Sequence, residues 1–312
     1  MADSTVAKND GKSISAPTED QYRQAFDPII PPVKFIQTKY GKAAYYPITP
    51  SIGEESQDRV LLIHGVQTPA IGLYPLAKAL QTSFPKTQFV LLDLWGHGLS
   101  DTPEAKHEPG LFLTLIDNLL DHLQWNKVKL IGFSFGGLLT IAYSVTRPER
   151  VDDYILIAPG GLIRSSAFTS SDLEQLRSDD FQTAYNWTSQ WLEGGDLIVP
   201  QDWKKTVASG RLVAEAVREW QVQHHKGHKI SVLGIVKDGE VMDAESYFSQ
   251  AQKIAKPPSL VILGEKDDIC TREDLEAFGY GNIHVIPNVG HAVVREKVPE
   301  VAGLIKALWG AG

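Results

Sequence analysis

Gly132-Phe133-Ser134-Phe135-Gly136 sets a serine between two glycines, each two residues away. The stretch follows the apolar run Val128-Lys129-Leu130-Ile131. It opens a segment carrying Leu138, Leu139, Ile141, Ala142 and Val145 at helical spacing. This reads as a strand turning sharply into a helix, with the serine at the apex. The turn is tight and the helix packs close against the sheet, so the flanking positions tolerate no Cβ, and glycine meets that condition. Ser134 Oγ is thereby held above the sheet edge, with the Phe135 backbone N–H pointing at the same space. A hydroxyl so placed suits acyl transfer. That chemistry also needs a base for the proton, a carboxylate to orient the base and two N–H donors for the oxyanion.

The elements that position these groups are legible as alternating strands and helices. Val33–Lys39 and Lys42–Ile48, on either side of Tyr40-Gly41, form a hairpin. Val60-Leu61-Leu62-Ile63, Phe89-Val90-Leu91-Leu92, Tyr154-Ile155-Leu156-Ile157 and Leu260-Val261-Ile262-Leu263 are continuous apolar runs, as in strands buried on both faces. Ile283–Ile286 is the last strand. Helical periodicity lies between them at Leu73–Leu80, Phe112–Leu123, after Ser134, and at Val301–Leu308. The alternation predicts an α/β fold, a mostly parallel sheet with helices on both sides. In such a sheet, ligand-facing residues gather beyond the carboxyl ends of the strands. Those ends carry His64-Gly65, Asp93 to Asp101, Ser134, Asp267 and His291.

The alternation stops over residues 162–256, which read as an inserted helical cap with Trp187, Trp191, Trp203 and Trp220. Pro257-Pro258 marks the return to the core, which comprises 29–161 and 257–312. Residues 1–28, polar and rich in Ser, Thr, Lys and Asp, read as a flexible arm.

These motifs together resemble the α/β-hydrolase superfamily, in its lid-bearing, serine-nucleophile branch of esterase-like and carbon–carbon hydrolase-like members. The resemblance runs from about Val33 to the C-terminus. It is carried by His64-Gly65, Gly96-His97-Gly98-Leu99-Ser100-Asp101, the Ser134 turn, Gly264-x-x-Asp267 and Gly290-His291. It implies Ser134 as nucleophile, His291 as general base and acid, and Asp267 as the carboxylate orienting His291. The implied oxyanion hole is the backbone N–H of Phe135 with that of Val66, or of Gln67, since relatives differ by a residue in this loop. Asp268 is the alternative acid; Asp267 is preferred because the loop counts from Gly264. Many relatives have a proline a few residues beyond this aspartate, where this chain has Ile269-Cys270-Thr271. A hydroxyl at position 134 excludes the aspartate-dependent dehalogenases and epoxide hydrolases.

The other histidines have plainer readings. His97 sits in a glycine turn and His64 shapes the loop after its strand. His224 and His228 are four residues apart, a spacing able to hold a metal, but no cysteine or well-placed carboxylate completes a site near them. Histidines near a helix C-terminus are favoured by its dipole. No metal is expected. No glycine-rich dinucleotide fingerprint accompanies the early strands, so no cofactor is expected either. Cys270, the single cysteine, reads as a packed small hydrophobe.

A net charge of −8 without a basic stretch argues against a nucleic-acid partner. The N-terminus lacks an apolar secretion segment and no run is long enough to span a membrane, so a cytoplasmic location is expected. If 181–192 is helical, Phe181, Tyr185 and Leu192 share one face while Trp187 and Trp191 lie on another. Trp187 and Trp191, with Gln67 and Phe133, are candidate substrate contacts under an apolar roof. The reading is a serine hydrolase of a small or medium hydrophobic ester or lactone. The rivals are a carbon–carbon hydrolase of a diketone, for which Ala158-Pro159-Gly160-Gly161 is a weak sign, a thioesterase, and a receptor on the same scaffold with little turnover.

Overall fold

The computed structural model describes residues 12–52, 58–254 and 258–310. Among them, eight strands form one sheet: β1 (Lys34–Thr38), β2 (Gly41–Ile48), β3 (Asp58–Ile63), β4 (Thr87–Leu92), β5 (Val128–Phe133), β6 (Val151–Ile157), β7 (Leu260–Gly264) and β8 (Ile283–Ile286). Their order across the sheet is β8-β7-β6-β5-β3-β4-β2-β1. The β1–β2 hairpin is antiparallel and β2 runs antiparallel to β4; every other pairing is parallel. Chain order reverses around β3, which lies between β4 and β5. This opens a crevice at the carboxyl ends of β3 and β5, where ligands bind in open parallel sheets. Ile63 is level with Gly132 across that pair, so the turns after the two strands are neighbours.

The apolar runs are strands because both their faces are covered. Leu61, Ile63, Val90, Leu92 and Leu130 pack into one core with Phe112 and Leu138. Val60, Leu62, Leu91, Ile131 and Ile155 pack into the opposite core with Leu76, Leu80 and Ile305. Each such side chain, fully withdrawn from water, contributes about 1.5–3 kcal/mol before entropy is counted.

Helix α1 (Glu19–Phe26) precedes the sheet. Helices α2 (Tyr74–Ser83), α3 (Pro109–His122) and α4 (Phe135–Thr146) connect its strands. Between β6 and β7 lie α5 (Ser170–Leu176), α6 (Phe181–Glu193), α7 (Trp203–Ala208), α8 (Ala214–His224), α9 (His228–Asp238) and α10 (Glu245–Ile254). α11 (Arg272–Ala277) joins β7 to β8, and α12 (Val293–Glu296) and α13 (Val298–Trp309) follow. None of the described helices is long and apolar enough to cross a membrane.

The expected arm is corrected where it is described. Thr18 and Gln21 form a capping box, the Gln21 N–H donating to Thr18 Oγ1 at 3.2 Å and the Thr18 N–H to Gln21 Oε1 at 3.0 Å. Tyr22 and Phe26 of α1 are fully buried, with rings 5.1 and 5.7 Å from Trp220 and the Phe26 ring 5.8 Å from Trp203. Ser13–Ile14 pairs with Thr102–Pro103. A polar segment with two aromatics one turn apart reads as an arm until the helices it staples are in view. Residues 1–11 and the return at Pro257 lie outside the described residues.

Candidate active site

The turn from β5 into α4 holds Ser134 at φ 56°, ψ −122°, a conformation that costs a non-glycine residue of order 1–3 kcal/mol. The surroundings fix it there. The Ser134 N–H donates to Ile157 O (3.1 Å) and its carbonyl accepts the Gly160 N–H (2.8 Å). A Cβ at Gly136 would lie 2.2 Å from Ile63 O, a backbone atom with no room to yield, so the neighbouring strand dictates that glycine.

His291 Nε2 lies 2.9 Å from Ser134 Oγ, and His291 Nδ1 lies 3.1 Å from both Asp267 oxygens. β7 and β8 are adjacent and parallel, with Gly264 level with Ile286, so the loops after them bring Asp267 and His291 together. The carboxylate fixes the tautomer: Nδ1–H donates to Asp267, leaving Nε2 to accept the serine hydroxyl. The Asp267 carboxylate is fully buried and also accepts the Ile269 N–H at 3.0 Å, whereas Asp268 is exposed. The Phe133 ring lies 5.2 Å from the imidazole.

Val66 and Phe135 line the pocket beside Ser134, and among the described residues neither backbone N–H has a protein acceptor. The Gln67 N–H is already committed, donating to His97 Nε2 at 3.0 Å. Gln67 itself sits at φ 68°. Gln221 of α8, fully buried, locks this loop: its Nε2 donates to Gln67 O at 2.6 Å and its Oε1 accepts the Gly98 N–H at 2.7 Å. The Gln67 amide donates to Glu193 of α6 (2.9 Å), which pairs with Arg218 (3.3 Å). The inserted helices thus grip the loop that carries Val66. Nothing in sequence spacing marks Gln221 or Glu193, since each is a single polar residue on a helix. If the Val66 N–H serves a developing oxyanion, replacing Gln221 with Met is expected to lower kcat by up to about a hundredfold with KM nearly constant, less than the roughly 10²–10³ that loss of a whole donor costs. Steady-state kinetics on a nitrophenyl ester checks it; a rise in KM alone would contradict it.

The pocket encloses about 130 Å³, close to a cavity known to hold benzene. Gln67, Phe133 and Trp191 line it, as do Leu192, Arg218 and Arg295. Trp187 does not. Its indole donates to Asp172 (2.9 Å) and its ring packs on Phe168, tying α5 to α6. Trp187 and Trp191 share a helix face and stack on each other, but only the later turn reaches the cavity.

Four histidines behind this loop are buried: His64, His97, His225 and His228. His225 Nε2 lies 2.9 Å from Ser100 O and His228 Nδ1 lies 2.8 Å from Gly96 O, while His224 Nδ1 lies 3.0 Å from Trp220 O. No group able to hold a metal occurs among the described residues. Burial pushes His64 down to about 4 and His228 to about 3, and burial with the neighbouring histidines holds His97 well below the ordinary value. Burial raises Asp93 to about 6 against the hydrogen bonds it accepts. Burial lowers His107 and His225 as well, so below pH 6.5 the unfolded chain takes up protons at His64, His97, His107, His225 and His228 that the native state resists. Asp93 works the other way, holding below pH 6 a proton that the unfolded chain releases. Glu193, also raised by burial, acts with Asp93, but the five histidines outnumber the two carboxyls, so stability is expected to fall as pH drops from 6 toward 4. Urea midpoints between pH 7 and pH 4.5 check this, and a flat profile would contradict it.

The alpha/beta hydrolase fold family model matches residues 58–297. A curated relative from Bacillus subtilis (strain 168), described as "Putative 2-succinyl-6-hydroxy-2,4-cyclohexadiene-1-carboxylate synthase", is 25% identical over 266 residues, covering 81% of this chain and 90% of its own. The solved enol-lactonase from Burkholderia xenovorans LB400 superposes with a TM-score of 0.66 at 15% identity, over 89% of this chain and all of its own. Naproxen esterase (carboxylesterase NP) from Bacillus subtilis gives 0.58 at 18%, over 93% and 95%. At such identities the two structures speak for the fold, and the family match spans most of the chain. The chain belongs to the alpha/beta hydrolase fold family.

Proposed function

We propose that the chain is a serine hydrolase of small carboxylic esters and lactones, acting through an acyl-enzyme. One observation carries this: the unbroken hydrogen-bonded line Ser134–His291–Asp267, opening on a pocket with two unpaired N–H groups at its base. Ser134 Oγ attacks the carbonyl carbon while His291 Nε2 takes its proton. The oxyanion is held by the Phe135 and Val66 N–H groups, Gln67 being spent on His97. His291 then gives the proton to the departing alcohol, and the C–O bond breaks to leave the acyl-serine. Water repeats the steps, its proton going to His291 and then back to Ser134 as the acid leaves. Asp267 stays ionised throughout and stabilises the imidazolium.

In this reading the insertion 162–256 is a cap that roofs the pocket with Trp191 and Leu192 and braces the oxyanion loop through Gln221 and Glu193. The test is a panel of short-chain nitrophenyl esters, lactones, acyl thioesters and a diketone. Ester turnover with a burst of nitrophenolate matching the enzyme concentration supports an acyl-enzyme. Cleavage confined to the diketone would move the bond type to carbon–carbon. Absence of all turnover would favour a receptor.

A further inference from the structure

The pocket wall carries two arginines and, among the described residues, no carboxylate. Arg218 is spoken for: it pairs with Glu193 (3.3 Å) and Glu215 (3.4 Å), and Glu193 also receives the Gln67 amide. Arg295 is different. It stands one turn beyond His291, on α12, with its guanidinium 5.5 Å from the centre of the Phe133 ring, the same ring that lies beside the imidazole. Among the described residues every other arginine that is not exposed has a carboxylate within 4 Å: Arg23, Arg147, Arg150, Arg218 and Arg272. Among the described residues Arg295 makes no ion pair within 4 Å and no side-chain hydrogen bond; Glu193, Glu215 and Glu296 act on it only from farther off. Burial and the charge of Arg218 pull it down to about 10 against the more distant Glu215, Glu296 and Glu193, still protonated at neutral pH, so a positive charge with no direct carboxylate partner lines the cavity. Withdrawing such a group from water is costly unless an anion completes it.

We infer that the substrate of this site carries a carboxylate in addition to its scissile ester, and that Arg295 is the group that receives it. The inference rests on the hydrolase reading and narrows it, replacing a purely hydrophobic substrate with a small monoanionic ester. A guanidinium offers a planar fork matched to a carboxylate, and the Phe133 ring beneath it limits its orientation. Arg218 does not compete for the anion, since its charge is already partnered by Glu193 and Glu215.

The experiment compares matched pairs in wild type, Arg295→Gln and Arg295→Lys. One pair puts the anion on the acyl side: monomethyl glutarate against methyl 5-methylhexanoate. The other puts it on the alcohol side: 4-carboxyphenyl acetate against 4-carbamoylphenyl acetate. Wild type is expected to favour the anion in at least one pair by about tenfold or more in kcat/KM, the scale of a charge-assisted hydrogen bond. The ratio should collapse toward one in Arg295→Gln and survive in part in Arg295→Lys. A wild-type ratio at or below one in both pairs, or a ratio that Arg295→Gln leaves in place, overturns the inference while leaving the hydrolase reading intact. If no ester is turned over, the hydrolase reading fails, and calorimetric titration with monomethyl glutarate decides the arginine's role separately. Binding weakened tenfold in Arg295→Gln supports it; equal or absent binding overturns it.

Discussion

Asp267→Asn is expected to lower kcat by about 10³–10⁴-fold with little change in KM, while Asp268→Asn stays within a few-fold of wild type. An asparagine can sit where Asp267 sits, but its amide presents a donor as well as an acceptor. If the donor meets His291 Nδ1, the ring proton moves to Nε2, the atom 2.9 Å from Ser134 Oγ. The imidazole then has no lone pair for the serine proton, and it loses the charge that stabilises its protonated form. Asp268 is exposed, and the imidazole's carboxylate contacts go to Asp267, so it has no such leverage. Steady-state kinetics of the two variants on one ester reads the difference. Equal losses, or the reverse ranking, would place the acid at the other aspartate.

Ser134→Ala is expected to be larger still, about 10⁶-fold in kcat, because the attack on the carbonyl disappears along with the bond it forms. Its effect on folding should be small, since among the described residues the hydroxyl's side-chain partner is His291 alone. Ser134→Gly carries a further signature. With φ at 56°, the serine is held where glycine is at ease, so the glycine variant should be as inactive as the alanine one yet more stable by about 1 kcal/mol. Urea denaturation of the three proteins separates the contributions. A glycine variant less stable than wild type would show that the turn is not strained.

Much of this was legible in the residues because each signal was local. A continuous apolar run such as Val60–Ile63 can be satisfied only by cover on both faces, and that alone places β3 inside the sheet. Gly136 was legible for the same reason, since a Cβ there meets a backbone carbonyl. What escaped was made by contacts between distant segments. Trp203 and Trp220 hold α1 down from about 180 to 200 residues away, and without them Tyr22 and Phe26 look like stray aromatics in a polar arm. Gln221 reaches across 154 residues to Gln67, and no spacing rule connects the two. Trp187 and Trp191 share a helix face, so periodicity treats them alike; the packing of Phe168 and Asp172 against the first tells them apart. Arg295 follows His291 by four residues, yet its lack of a partner is visible only once the surrounding carboxylates are assigned.

The central claim is that the Ser134 hydroxyl is the group made reactive by the line to His291 and Asp267. Its most direct test is intact-mass analysis after brief exposure to a fluorophosphonate, followed by peptide mapping. The account predicts a single phosphonyl adduct on Ser134 in wild type, greatly slowed in Asp267→Asn and missing in Ser134→Ala. An adduct on another residue, or ester turnover in wild type with Ser134 unmodified, would contradict it.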